Sequence, residues 1–405
     1  IKLLLNGKSL NASASATTGT LYDTPVEQIE RIELIRGPGS AVYGEFAYAG
    51  VLNVITRRQG EQYSVGADGA DSVNFAALYS YTDDADDFRA SINFAAIDSN
   101  GEDIDSGADV SPAGIASYAP GPINNKRDFV SAIASVESGE LSALLQLQQG
   151  NRGDHFGTNY LLPPDDRQTV ISDTVMSADI SQRFRVDDSL DGEWSINLLQ
   201  NSTEQNELFL GTAENFGGFT SDDDIVADTL LEERRAEARL RLRYALERRH
   251  LTAEVLLTDV DVIESTQAIN LDPVTGLPST GLNDFPPPVD DSAERRSSSL
   301  VLQDEFYIDA DTTLTTGLRF DDYEDIGSNL SPRISLVWRK SERQIFKAQL
   351  ARAFRPPSLI EEDGSIEPSI DAETNDTIEF GHIYRHTDLV LRNTLYFTQL
   401  DDLIL

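Results

Sequence analysis

The sequence predicts an all-β fold: a transmembrane barrel, with about 15 antiparallel strands present of a 22-strand barrel, around a small N-terminal α+β domain in its lumen. Three observations predict it. From about residue 61 the chain repeats segments of roughly 10 to 15 residues that alternate apolar and polar side chains. The connections between these segments alternate short and long. The first 58 residues break the pattern with a Gly-Pro-Gly turn between two apolar runs. The expected division is residues 1–58 for the small domain and 61–405 for the barrel.

In the small domain, residues 29–57 read IERIELIRGPGSAVYGEFAYAGVLNVITR. An alternating strand, with Ile29, Ile32 and Leu34 among charges, runs into Gly37, Pro38 and Gly39. Proline cannot extend a ladder, and glycine reaches backbone angles that other residues avoid, so the chain must turn there. A short turn from Ser40 to Tyr43 stops at Gly44, and a second apolar run, Val51 to Ile55, ends at Thr56. Gly37, Gly39 and Gly44 after a strand loosely mimic a phosphate-cradling loop. That reading requires helices alternating with strands afterwards, and here strand follows strand.

The barrel segments are read from their parity. In Asp87 to Ile97, Phe88, Ala90, Ile92, Phe94 and Ala96 share one face, and Arg89, Ser91 and Asn93 the other. In Glu237 to Leu246, Ala238, Leu240, Leu242, Tyr244 and Leu246 oppose Glu237, Arg239, Arg241 and Arg243. An arginine on the lipid face costs about 2–4 kcal/mol near the midplane, so these three face a watery lumen. The same alternation recurs in Glu140 to Gln149, Thr174 to Phe184, Ser299 to Ile308 and Leu389 to Phe397. Connections are short at 83–86, 137–140, 186–192, 248–250, 309–311 and 340–342. They are longer at 98–126, 150–173, 206–232, 265–294 and 355–372. Short periplasmic turns and long extracellular loops give outer-membrane barrels this asymmetry. Strands of a soluble β-sandwich average about five or six residues, half of what is found here.

Composition narrows the function. The 405 residues carry 32 Lys and Arg against 69 Asp and Glu, a formal charge of −37. That balance argues against nucleic acid, whose binding draws on basic side chains. There is no cysteine, which removes disulfides, thiolate metal sites and cysteine nucleophiles together. No run of 18 apolar residues exists, so no transmembrane helix is expected. The negative mean hydropathy is compatible with a membrane barrel, which shows lipid only every second residue.

The stretch from Ile29 to Arg57 resembles the plug domain of TonB-dependent outer-membrane receptors, whose familiar form is "IERIEV-RGP-SALYG--A--GVINIIT". Ile1 to Leu10, IKLLLNGKSL, resembles the strand and turn "VLVLIDGVPLN" of the same domain. SPRISLVWRK at 331–340, FKAQLARAFRPPSL at 346–359 and ETNDTIEFG at 373–381 resemble the mid-to-late barrel of these receptors. The resemblance implies a bacterial outer-membrane, monomeric transporter rather than an enzyme, importing a scarce metal-chelate ligand, most simply a ferric siderophore. Cobalamin, haem or an oligosaccharide fits the same scaffold, and a porin or barrel enzyme is the rival class. It also implies energy from the inner-membrane TonB complex, contact with outer-membrane lipid and no cofactor. A TonB-binding box and signal peptide are expected ahead of Ile1, and about seven strands after Leu405, so the sheet is expected to be an open trough with a free edge.

Candidate site residues follow. The four histidines, His155, His250, His382 and His386, are scattered; the last two, on one strand face, lie roughly 13 Å apart, too far to share a metal. By resemblance, plug arginines near the "RGP" turn meet barrel glutamates, so Arg31 and Arg36 are expected to pair with Glu305 and Glu379. Gly37, Pro38, Gly39 and Gly44 form the motif turn. Ligand contacts are expected from the plug stretch Asn11 to Tyr22, with Tyr22 able to stack, and from Arg152, His155, Phe156 and Tyr160 in a long loop. The segment 206–232 carries seven acidic residues and no basic one, so an oxygen-ligand calcium site at Ser221 to Asp228 or a solvated acidic face is expected. An acidic mouth repels a polyanion at long range, while the inward arginines attract one deeper down.

Overall fold

The computed structural model describes residues 1–17, 19–67, 69, 71–108, 117–157, 161–165, 169–212, 224–364 and 370–404. Its first four strands form a small sheet. β1 (Lys2–Leu5) and β2 (Lys8–Ser9) make a hairpin whose turn residues Asn6 and Gly7 have φ of 53° and 80°. Two left-handed residues give the twist a two-residue hairpin needs, and Asn-Gly tolerates it best. β3 (Ile29–Arg36) leads through the Gly-Pro-Gly turn into the single-turn helix α1 (Ser40–Tyr43), then into β4 (Gly50–Thr56). The sheet order is β2-β1-β4-β3, with β1 parallel and β3 antiparallel to β4.

The large sheet follows without interruption by helices. It comprises β5 (Glu61–Ala67), β6 (Ser72–Asp83), β7 (Phe88–Ser99), β8 (Arg127–Ser138), β9 (Leu141–Arg152) and β10 (Val170–Arg185). β11 (Leu190–Thr212), β12 (Asp224–Leu246) and β13 (Arg249–Leu271) come next, then β14 (Pro278–Phe285) and β15 (Glu294–Tyr307). β16 (Thr312–Tyr323), β17 (Gly327–Ser341), β18 (Gln344–Arg355), the short helix α2 (Leu359–Asp363), β19 (Glu373–His386) and β20 (Leu389–Asp401) complete it. Neighbours in sequence pair antiparallel from β5 to β20; β14 pairs β13 alone, off this path. Among the described residues that is a sixteen-stranded sheet, close to the expected fifteen, with β5 and β20 at its two ends.

The small sheet packs on the concave face of the large one. Leu3, Leu5, Leu10, Leu21 and Val54 from the small domain share a buried core with Ile133, Leu144, Val175 and Leu199 from β8 to β11. The outward face carries Leu145, Leu147, Met176, Leu198, Leu240, Leu257, Leu300 and Leu302, all exposed, as a lipid-facing surface requires. Near the short turn 342–343, Trp338 and Phe346 stack at 5.6 Å and Phe346 and His382 at 4.7 Å, with Lys340 Nζ 5.9 Å from the Trp338 ring. Such an aromatic group marks one edge of the membrane. No helix among the described residues is long and apolar enough to cross a membrane.

One expectation is corrected. Residues 206–232 are mostly strand rather than loop, because β11 runs to Thr212 and β12 begins at Asp224. Each spans 23 residues, roughly 75 Å, well beyond an apolar band of about 25 Å. Glu207, Asp224, Asp228 and Glu232 therefore decorate a ladder that stands in water. Ser221, Asp222 and Asp223 lie outside the described residues. No group of three or more His, Asp or Glu able to hold a metal ion occurs among the described ones.

Candidate functional site

The site is the seam between the small domain and the wall, and β12 supplies its firmest hold. Parity carries the inward face of Glu237 back two and four residues, to Arg235 and Glu233, both buried. Glu233 accepts from the Ser13 amide at 3.0 Å and the Ala14 amide at 2.7 Å. Arg235 donates to the Asn11 carbonyl at 3.1 Å and the Ser9 carbonyl at 2.6 Å. Lys8 reaches Asp179 on β10 at 2.5 Å. The wall thus grips residues 9–14 mainly through their peptide groups.

A second hold forms at the motif turn. Gly37 and Gly44 have φ of 80° and 73°. A Cβ on Gly39 would lie 3.2 Å from Val51 and 3.3 Å from Ala47, so a side chain there would crowd the turn. Pro38 is buried beside it. A Cβ on Gly44 would meet the Arg319 guanidinium at 2.7 Å. Arg319, on β16, is buried and held by Asp321 at 2.7 Å and Ser299 at 2.8 Å. Beside them Tyr323 donates to Glu45 at 3.2 Å. Buried charge of this kind is tolerated because every partner is present.

The pairing of Arg31 and Arg36 with Glu305 and Glu379 does not form. β3 is the outer strand of its sheet, with Ile32 57% and Leu34 62% exposed, so its arginines point away from the described wall. Arg31 pairs instead with its strand neighbours Glu30 and Glu33, both at 2.8 Å. Arg36 is exposed and makes no ion pair among the described residues. Glu305 accepts from Tyr307 at 2.9 Å near the short-turn end. Glu379 does come to the motif turn, 3.9 Å from a Cβ placed on Gly37, without an arginine partner there.

At the long-loop end the other plug segment meets the wall. Tyr22 sits in a 3-10 turn, Leu21–Asp23, and is 70% exposed. Asp23 beside it pairs with Arg127 at the start of β8 at 3.2 Å. Burial raises the Asp23 carboxyl above the usual range, while Arg127 and Arg152 oppose the rise. Arg152, at the end of β9, pairs with Asp173 at 3.2 Å. His155 bridges Asn124 through backbone bonds of 2.9 and 3.2 Å, and Phe156 is 55% exposed. Tyr160 lies outside the described residues. Asp23, next to Tyr22, is thus the plug residue that comes close to Arg127 and Arg152.

The stretch Asn11 to Ala14 is covered, contrary to expectation. The connection after β18 folds inward as α2, and Leu359 and Ile360 donate their amides to the Ser13 and Ala14 carbonyls at 3.3 and 3.1 Å. Ala14, Leu359, Val262 and Val289 form a small buried cluster there. Ser358 caps α2 with Glu361 in a reciprocal capping box. Arg295, itself buried, ties the segment to the wall through Asp325 at 2.5 Å, Glu362 at 2.6 Å and the Pro357 carbonyl at 2.7 Å. Burial alone would raise the Glu361 carboxyl, but Arg355 at 2.9 Å and the Ser358 amide hold it below the usual range.

Comparison with known proteins agrees with this geometry. The description "TonB-dependent Receptor Plug Domain" matches residues 1–51, and "TonB dependent receptor-like, beta-barrel" matches residues 134–405. The ferric enterobactin receptor PirA of Pseudomonas aeruginosa is 26% identical over 397 residues, covering 88% of this chain and 51% of that protein. The chain thus spans about half the length of such curated relatives. The crystal structure of the siderophore receptor PirA from Acinetobacter baumannii superposes with a TM-score of 0.69 at 17% identity, covering 99% of this chain and 63% of that one. The copper transporter OprC superposes with a TM-score of 0.72 at 15% identity, covering 99% and 64%. A small sheet carrying the plug motif sits against an antiparallel wall whose lumenal side chains hold it, and both parts match the same family. The chain belongs to the TonB-dependent receptors, a family of the bacterial outer membrane.

Proposed function

We propose that this receptor imports a ferric siderophore across the outer membrane, with the TonB complex supplying the energy that frees the plug. The observation that carries the reading is the long-loop end of the seam, where the exposed ring of Tyr22 adjoins Asp23, whose carboxylate pairs with Arg127 and lies within reach of the Arg152 charge; aromatic and cationic groups gathered there suit a planar acidic chelate. Relatives named as siderophore and ferric enterobactin receptors support the same substrate class. The plug holds shut what it occupies, and transport requires the contacts of Glu233, Arg235 and Arg319 to loosen. No bond in the ligand need break.

The test is growth. The full-length receptor is expressed in an iron-starved host lacking its own siderophore receptors, and defined ferric siderophores are supplied, with haem and cobalamin as controls. Rescue by at least one siderophore, dependent on the host TonB, is the expected outcome. Rescue by cobalamin or haem alone replaces the substrate class. TonB-independent uptake overturns the transport mechanism.

A further inference from the structure

A cavity of about 440 Å³ lies between the β1–β2 turn and the short-turn half of the wall. Arg239, Arg241 and Arg243 line it from successive inward positions of β12, roughly 7 Å apart. Lys2 and Lys8 face them from the plug, and Arg319 from β16. Only two carboxylates, Glu237 and Glu254, share the lining. The other counter-charges stand behind: Asp179 with Lys8, Asp191 with Arg243 and Asp321 with Arg319 pair at 2.5, 2.7 and 2.7 Å, and none of the three lines the cavity.

The lining is also short of acceptors. Glu237 takes Arg239 at 2.8 Å, and Glu254 serves both Arg239, at 3.5 Å, and Arg241, at 2.7 Å. The contact at 3.5 Å is made by the buried Arg239 Nε, and it is an ion pair only: that nitrogen has no hydrogen-bond partner among the described residues. Lys2 donates to the Tyr43 carbonyl at 2.7 Å and makes no ion pair among the described residues. In a chain of net charge −37, cations gathered on one enclosed face concentrate anions there.

We propose that this cavity is an oxyanion-binding subsite for a small molecule bearing two or more carboxylate or phosphate charges. Lys2 and the β12 arginines supply charge-assisted donors to it, and the bound group completes the donors that Glu254 cannot satisfy. The site lies on the far side of the plug from Tyr22 and Arg152, so it is separate from the mouth. It does not depend on what enters at the long-loop end.

The test uses the full-length receptor in detergent. Thermal unfolding is followed against citrate and against pyrophosphate, with sodium chloride at matched ionic strength as control. The midpoint is expected to rise with either oxyanion beyond the chloride control. Lys2→Met should weaken the apparent affinity roughly ten-fold, the effect of one charged hydrogen bond. Because Lys2 has no carboxylate to strand, that variant is expected to fold; the charge-balanced double variant Arg241→Gln/Glu254→Gln is the second probe and should weaken binding likewise. Oxyanions acting no differently from chloride, or equal affinity in wild type and both variants, overturn the proposal. A cell-uptake arm then identifies the source of the anion. Slower uptake of labelled ligand by Lys2→Met with unchanged surface binding marks the transported ligand, and unchanged uptake with lost oxyanion binding marks a free anion reaching the site from the short-turn side.

Discussion

A methyl group on Gly44 would press on the Arg319 guanidinium at 2.7 Å, on a backbone already at φ 73°. Gly7 offers a control, with φ 80° and nothing within 4 Å of its added Cβ. Gly7→Ala should cost only the backbone strain, about 1–2 kcal/mol, and Gly44→Ala clearly more, in denaturant midpoints of the reconstituted receptor. Glu233→Ala strands two buried amides and should cost about 2–4 kcal/mol, with faster hydrogen exchange at Ser13 and Ala14 than at Leu3. Lys2 adds a pH dependence. Desolvation lowers its ammonium from 10.5 to about 8, against the pull of Glu45 and Glu237. The folded state then binds fewer protons than the unfolded one between those values, so stability rises with pH across that window and the penalty is full below it. Lys2→Met should flatten that rise in pH-resolved unfolding. At this scale the sequence was half legible. Parity alone set Arg239, Arg241 and Arg243 inward, and the same count reaches Arg235 and Glu233. The pairing of Arg36 failed because a motif names one side of a contact, while its partner depends on which distant strand comes opposite.

Elements were easier to read than their lengths. The turn at Gly37 to Gly39, the one-turn helix Ser40–Tyr43 and the run into β4 stand where glycine, proline and the apolar residues require them. The acidic stretch before Glu233 looked like a loop because strands that leave the membrane lose their apolar face, and the alternation that betrays a strand goes with it. Hydrogen bonds to neighbouring strands continue regardless, as the register from Asp228 opposite Ala268 to Leu246 opposite Arg249 records. α2 was invisible for a different reason: five residues carry too little periodicity to announce a helix. Its stability rests on its cap. Ser358→Ala should cost about 1 kcal/mol and loosen both partners of the clasp, seen as faster exchange at Leu359 and Ile360.

The whole molecule is ordered by the membrane. Outward residues of β12 run from Tyr244 to Arg234, about ten positions, which a strand tilted by about 40° converts to roughly 25 Å, the height of an apolar band. Arg234 pairs with Asp261 at 3.4 Å and Arg296 with Asp259 at 3.1 Å at one margin, and the Trp338 cluster marks the other. Adjacent positions should therefore differ sharply. Leu240→Arg, on the lipid side, should cost about 2–4 kcal/mol in urea titrations of the receptor folded into bilayers, whereas its native neighbours Arg239 and Arg241 are accommodated within. The overall architecture was legible because the membrane imposes period and length together; the seam was not, because it depends on curvature that no single strand encodes.

The hold on residues 9–14 has a consequence for how such a receptor can change. Glu233 and Arg235 take amides and carbonyls that nearly every amino acid presents alike. That grip is therefore indifferent to which side chains stand here, although Leu10, Asn11, Ser13 and Ala14 are buried and tolerate exchange only within their packing. Proline at position 13 or 14 is the exception, since it alone removes the donor that Glu233 needs.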